Sequence, residues 1–285
     1  MLPNFIIVGP PKAGTTSLWR YCSEHPDIFM CPTKEPQYFS YNPRNLTFEQ
    51  YKALFIGHND EKAIGEASVY YLWYQDSPKK IKACIPNCKI VIMLRNPVDR
   101  LYSAYLHRKR VGISTESFKM YIENPKIEKK RNLMYENQTV NKFKSYYEGI
   151  KNYTDLFGRE NLFIGMYDDF HSKPKEFIKS LYNFLGVDDS FLPDLSRKYN
   201  ISYTPAFSKM PFALRSIALF FKPLLTKIFS YDRLISAKDF LLKLNIKKKP
   251  RAITDSERKL VIELYKHDIE KLQNYLDINL EHWLR

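Results

Sequence analysis

IVGPPKAGTTSL, residues 7–18, decides the fold of this chain. A hydrophobic strand runs into a turn rich in Pro and Gly, and a Thr-Thr-Ser helix start follows at once. Backbone N–H groups in such a turn and at a helix N-terminus converge on one place, and that place attracts phosphate or sulfate oxygens. The segment nearly satisfies the nucleotide-triphosphatase spacing G-x-x-x-x-G-K-[ST]. Gly9 and Gly14 are correctly spaced, but Thr15 stands where the lysine belongs. The loop's lysine is Lys12, inside the turn. The stretch predicts a nucleotide-phosphate site without the usual kinase or ATPase equipment.

Working outward, residues 4–9 read as a buried strand and 15–24 as the helix after the phosphate loop. Residues 33–39 form a loop, and 62–67 a short second strand. CKIVIMLR, residues 88–95, is a continuous apolar strand, the pattern of a parallel sheet covered on both faces. Asn96-Pro97 ends it, and Pro97 opens a helix over 98–110. A helix over 141–157 stops at Gly158, LFIGMY (162–167) is another buried strand, and a helix over 175–185 ends at Gly186. Strands alternate with helices, so the expected fold is α/β, a P-loop-like and mainly parallel sheet flanked by helices. One domain over residues 1–285 is expected, with a helical C-terminal section from about residue 206. Within it, the apolar stretch 211–230 is read as helices covering the core, with a lid or acceptor-facing wall as the other reading. Thr254-Asp255-Ser256-Glu257 is a capping box. The helix it opens aligns Val261, Leu264, Tyr265, Ile269, Leu272 and Leu276 on one face, an expected core stripe.

Composition limits the function. A hydrophobic fraction of 44% and an aromatic fraction of 15% in 285 residues exclude disorder. The net charge of +14 calls for anionic ligands: a nucleotide, an acidic substrate, nucleic acid or a membrane surface. The phosphate loop selects the nucleotide, and no nucleic-acid partner is expected. Cys22, Cys31, Cys84 and Cys88 make no disulfide framework and no zinc set, since no His cluster accompanies them. No signal peptide and no spanning apolar run is visible, which predicts a soluble, cytoplasmic protein. A catalytic fragment cut from a membrane-anchored parent would read the same way.

Three constellations carry chemistry. Lys12 projects into the anion site, where its charge can support a leaving phosphate oxygen. Ala13, Gly14, Thr15, Thr16 and Ser17 add N–H groups and hydroxyls around it. Arg95 closes the apolar strand at its carboxyl end, where open α/β sheets bind ligands. A triphosphatase would place a metal-holding Asp at such a strand end. An arginine there favours a second phosphate and disfavours a magnesium site, so no metal is expected. Ser103, about two turns into the next helix, can join Arg95 on that phosphate. The third group lies in Thr33-Lys34-Glu35-Pro36-Gln37-Tyr38-Phe39, where Glu35 is a candidate general base. Glu66, closing Ile64-Gly65-Glu66, competes with it.

Taken in order, Pro11–Leu18, Lys34–Phe39, Gly65–Ser68 and the run from Lys89 to Pro97 and on to Ser103-Ala104-Tyr105 resemble the sulfotransferases that use 3′-phosphoadenosine-5′-phosphosulfate (PAPS). The resemblance lies nearest the heparan-sulfate and bacterial branch, and it covers roughly residues 4–190 and the ending 276–283. It implies that Lys12 and Gly14 to Ser17 hold the 5′-phosphosulfate end and that Arg95 and Ser103 bind the 3′-phosphate. It makes Glu35 the base. Lys34, Tyr38 and Glu66 are candidate acceptor-facing residues, and the expected acceptor is a carbohydrate or a small metabolite. The histidine motif of the small-molecule branch has no counterpart. The Cys-flanked loop and Lys-Gly-Arg segment of the heparan enzymes are missing, with 202–209 and 247–251 as candidate replacements. Two rivals stand beside this expectation: a P-loop phosphotransferase, and a nucleotide-binding module without activity.

Overall fold

The computed structural model describes residues 1–111, 116–123, 145–196, 204–205, 246–247 and 251–285. The chain divides into two compact units. The first comprises Met1–Arg100, Phe143–Asn200 and Leu264–Arg285; the second comprises Leu101–Lys142 and Ile201–Glu263.

The first unit is built on five parallel strands in the order β2-β3-β1-β4-β5: β1 Phe5–Val8, β2 Ile28–Met30, β3 Ala63–Ala67, β4 Lys89–Leu94 and β5 Leu162–Met166. Pairings Ile7↔Ala67, Val8↔Ile92 and Leu94↔Met166 set the register. β1 and most of β4 are buried throughout, because helices cover both faces and leave no side of the strand in water. On one face Phe5, Ile7, Val91 and Met93 join Leu18, Trp19 and Cys22 of α1 (Thr15–Glu24) and Phe177, Ile178 and Leu181 of α8 (Pro174–Leu185) in one apolar cluster. The opposite face buries Ile6, Ile90, Ile92 and Leu94. There α3 (Ser77–Cys84) packs on α6 (Tyr146–Phe157), which lies on β4 and β5.

The expected strands and the helix 15–24 are present to within about a residue of their ends. The helix read over 141–157 has Ser145 as its cap and begins at Tyr146; residues 141–144 lie outside the described residues. Its first turn is held by the Asp268 carboxylate, which accepts the Tyr146 N–H at 2.7 Å and the Tyr147 N–H at 3.2 Å. Strand β2, α2 (Phe48–Ala53), α3 and α7 (Tyr167–Ser172) are additions to the elements read from sequence.

In the second unit, described residues hold the later part of α4 (Pro97–Arg110), α5 (Phe118–Glu123) and the start of α9 (Asp255–Leu276). An antiparallel pair joins β6 (Thr204–Pro205) to β7 (Ile246–Lys247). Tyr102, Tyr105 and Tyr121 pack their rings around buried Phe118. The capping box forms as expected: Glu257 N–H donates to Thr254 Oγ1, and Thr254 N–H donates to a Glu257 carboxylate oxygen at 3.1 Å. Of the proposed stripe on α9, Val261, Tyr265, Ile269 and Leu272 are buried, but Leu264 is 51% exposed and is corrected out of the core. The spacing 261, 265, 269, 272 is the narrower seam, and Leu264 falls beside it. The apolar stretch 211–230 and most of 202–209 lie outside the described residues.

Candidate active site

The carboxyl ends of all five strands lie along one edge of the sheet, and the candidate residues Lys12, Glu35 and Arg95 follow three of them. The chain leaves β1 into the phosphate loop, β4 into Arg95 and β5 into Tyr167. It leaves β3 into Ser68, and β2 into the loop that carries Glu35. An open parallel sheet binds ligands at this edge because the loops there are free of the pairing that holds the strands.

Gly9 allows β1 to end against β4: a Cβ on it would lie 2.5 Å from the Met93 carbonyl oxygen. The turn closes with the Ala13 N–H donating to the Pro10 carbonyl at 3.2 Å. Gly14 then caps α1 in the left-handed conformation, at φ 88°. No side chain caps α1, and no acidic residue lies in its first turn. Its first intrahelical bond runs from the Leu18 N–H to the Gly14 carbonyl. The N–H groups of Thr15, Thr16 and Ser17 therefore precede the helical ladder, with the positive end of the helix behind them. Thr15 is buried, whereas Thr16 and Ser17 are half-buried. This is a cradle for anionic oxygens, and it fits a phosphosulfate group.

Arg95 is brought to this loop. Its Nη1 donates to the Lys12 carbonyl oxygen at 2.9 Å, and its guanidinium carbon lies 4.2 Å from the centre of the Tyr167 ring. The Tyr146 hydroxyl donates to the Arg95 carbonyl oxygen at 3.1 Å. Arg95 Nε is buried without a hydrogen-bond partner. A planar cation stacked on an aromatic face and tied to the loop backbone is a fixed one, which suits recognition of a second anionic group. Ser103, on α4, is 5% exposed and belongs to the second unit.

Glu35 hangs from the neighbouring strand end: its N–H donates to the Ala67 carbonyl at 2.9 Å. Its carboxylate is held from both sides, by Lys34 Nζ at 2.7 Å and by Gln37 Nε2 at 3.0 Å. The Glu35 side chain is 30% exposed and that of Lys34 20%, so the pair stays within reach of a ligand. Tyr38 stacks on Tyr51 at 4.6 Å between ring centres and is half-buried. Among the described residues with positive φ other than glycine, Asn42, Asn45 and Asp277 are of types that accept it. Lys12 (φ 77°), Glu35 (φ 57°) and Gln37 (φ 56°) are not. Each such residue costs on the order of 1 kcal/mol or more, and strain of this kind gathers at functional sites.

Glu66 behaves differently from the acceptor-facing group expected of it. It is 0% exposed and accepts hydrogen bonds from Ser68 Oγ (2.6 Å), Tyr51 Oη (2.8 Å) and Tyr71 Oη (3.0 Å). Burial pushes its carboxyl up to about 7, and the three hydroxyl donors pull against that rise. With no oxygen at the surface it does not fit a role facing the acceptor. Of the basic 247–251 segment, Arg251 is engaged within its own unit: it pairs with Glu257, with Nη1 at 2.9 Å from Oε2.

Tyr167 and Tyr146 were not singled out from sequence. The available signal for Tyr167 was position, as the first residue beyond a buried strand that pairs with β4.

Comparison with known proteins bears on the family and the fold. The family description "Sulfotransferase domain" matches residues 2–204. The membrane-associated sulfotransferase kil1 of Dictyostelium discoideum is 37% identical over 110 residues, which is 36% of this chain and 22% of that protein. The bifunctional heparan sulfate N-deacetylase/N-sulfotransferase 4 of Mus musculus is 32% identical over 115 residues, 38% of this chain and 13% of that protein. The chain thus matches a small part of the length of these curated relatives. The crystal structure of a sulfotransferase from Alicyclobacillus acidocaldarius has a TM-score of 0.73 at 28% identity, with 100% of both chains covered. A family match over most of the chain, on a parallel sheet whose phosphate loop lacks the triphosphatase lysine, establishes that this protein belongs to the sulfotransferase family, whose members move a sulfuryl group from PAPS to an acceptor.

Proposed function

We propose that the chain works as one sulfotransferase domain that passes the sulfuryl group of PAPS in line to a hydroxyl or amine of a carbohydrate. Glu35 takes the proton from the acceptor atom as the new bond to sulfur forms. The sulfur–oxygen bond to the 5′-phosphate breaks, and 3′-phosphoadenosine-5′-phosphate (PAP) leaves with the electron pair. Lys12 and the α1 N-terminus meet the charge that builds on the leaving oxygen. Arg95 and Ser103 bind the 3′-phosphate, while Lys34 and Tyr38 face the acceptor. The observation that carries this reading is the bond from Arg95 Nη1 to the Lys12 carbonyl, which sets two cationic residues beside a helix start that no side chain caps. A carbohydrate acceptor is favoured by the carboxylate base and the net charge of +14. The test is a panel of PAPS with de-N-sulfated heparan sulfate, unsulfated oligosaccharides, phenols and amines, read by mass for the gain of one sulfo group. Sulfation of phenols with none of any saccharide would overturn the carbohydrate reading. The four free thiols suit a reducing compartment, so the cytoplasm is the proposed location. No helix among the described residues is long and apolar enough to cross a membrane.

Two expectations follow. PAP should bind more tightly than AMP by about ten-fold or more, the yield of a charge-assisted contact to the 3′-phosphate. Arg95→Ala should abolish most of that preference, and calorimetry giving equal affinities to the unsubstituted protein would remove Arg95 from this role. Turnover should also survive EDTA, because side-chain cations and backbone dipoles supply the positive charge and Arg95 occupies the strand end where a metal-holding Asp would sit. Loss of activity in EDTA, restored by magnesium, would instead favour phosphoryl-type chemistry.

A further inference from the structure

The loop that carries Glu35 is pinned at alternate residues. The Glu35 N–H donates to the Ala67 carbonyl (2.9 Å), the Gln37 N–H to Ser68 Oγ (3.1 Å) and the Phe39 N–H to Tyr71 Oη (3.1 Å). The last two acceptors are hydroxyls, and each passes its own proton to Glu66: Ser68 to Oε2 and Tyr71 to Oε1. A hydroxyl has one proton to give. Above its raised pKa of about 7 the Glu66 carboxylate is ionised and only accepts, so each hydroxyl proton points to it while the hydroxyl oxygen receives the loop N–H. The sense of both relays is thus dictated from their buried end. Tyr51 also donates to Glu66 Oε1, but no backbone N–H of the loop is bound to its oxygen among the described hydrogen bonds.

We propose that Glu66 is a positioning residue for Glu35: it acts through Ser68 and Tyr71 to hold the 35–39 loop, left-handed at Glu35 and Gln37, in the course that presents the Glu35 carboxylate. The proposal rests on Glu35 being the base, but the tether itself is measurable without catalysis. Glu66→Gln keeps the size of the side chain and adds N–H donors at one arm. That arm now donates to a hydroxyl that also receives a loop N–H, so the hydroxyl's own proton loses its carboxylate acceptor and the relay that fixes its orientation is broken. Ser68→Ala and Tyr71→Phe each cut one relay. Tyr51→Phe removes a third hydroxyl from the same carboxylate and leaves both relays intact.

The experiment is amide hydrogen exchange over residues 35–39 for the four variants. It is accompanied by PAP affinity, chemical-denaturation midpoint, and kcat on the acceptor selected by the sulfation panel. Glu66→Gln, Ser68→Ala and Tyr71→Phe should speed exchange in this segment by about ten-fold or more and lower kcat by about ten-fold, with PAP affinity held to within about two-fold. Tyr51→Phe should lower the denaturation midpoint as Tyr71→Phe does, yet leave segment exchange and kcat near those of the unsubstituted protein. The proposal is overturned if exchange over 35–39 in Glu66→Gln is unchanged. It is also overturned if exchange rises while kcat does not fall, or if kcat follows the denaturation midpoint through Tyr51→Phe and Tyr71→Phe alike. A fully active Glu35→Gln enzyme would remove the base assignment instead, whatever the exchange data give.

Discussion

Glu35→Gln is expected to lower kcat by about 10²-fold or more while PAP affinity stays within about two-fold. The substitution keeps the shape of the side chain and removes the site that accepts a proton. The fold separates the two measurements, because Glu35 is suspended from the end of β3 and the phosphate cradle grows from β1. Lys34 Nζ, now bonded to Glu35 Oε1 at 2.7 Å, would face a neutral amide, a change at the acceptor side only. The measurement is steady-state turnover at saturating PAPS beside calorimetry with PAP. An enzyme that loses turnover with Glu66→Gln and keeps all of it with Glu35→Gln would identify the wrong carboxylate here.

Lys12→Ala should damage both quantities. Turnover should fall by about 10²–10³-fold, the range seen when one fixed donor is taken from a developing negative charge. PAP binding should weaken as well, since the proposed role sets the amine on the 5′-phosphate in the bound and reacting states alike. Arg95 does not compensate. Its Nη1 reaches the carbonyl of residue 12, a backbone atom that alanine retains, so the tie to β4 survives and the loop keeps its course. The loss is therefore assigned to the amine rather than to collapse of the turn. Unchanged turnover with weakened PAP binding would show that Lys12 only anchors the nucleotide.

The parallel sheet was legible because its strands are apolar without interruption, which is what burial on two faces imposes on CKIVIMLR and LFIGMY. The phosphate loop was legible because its glycines are forced: one lies against the Met93 carbonyl, and the other turns left-handed at the helix cap. Short elements were harder to see. Strand β2 has only the three residues Ile28–Met30, too few to show a period. Helix α2 carries a readable sign, Thr47 and Gln50 in a reciprocal cap, but lasts 6 residues. Glu66 shows the limit at the site itself. In sequence it is a carboxylate beside Glu35's loop in function and 31 residues away along the chain. Only the three-dimensional meeting of Tyr51, Ser68 and Tyr71 around it separates a buried anchor from a surface base. Arg95 was placed correctly at a strand end, while its tie to the Lys12 carbonyl depends on the register of β1 with β4, which sequence does not state.

The left-handed backbone at Lys12 and Glu35 sets heat resistance and chemistry against each other in any programme of variation and selection. Glycine and asparagine occupy that conformation with less strain than lysine or glutamate, so replacements there relieve the backbone while deleting an amine or a carboxylate. Libraries of this enzyme screened for thermal survival alone would drift toward such residues at positions 12 and 35, yielding sturdier proteins with an emptied site. Holding both positions fixed, and seeking stability in the helices behind the sheet, keeps the two aims from competing.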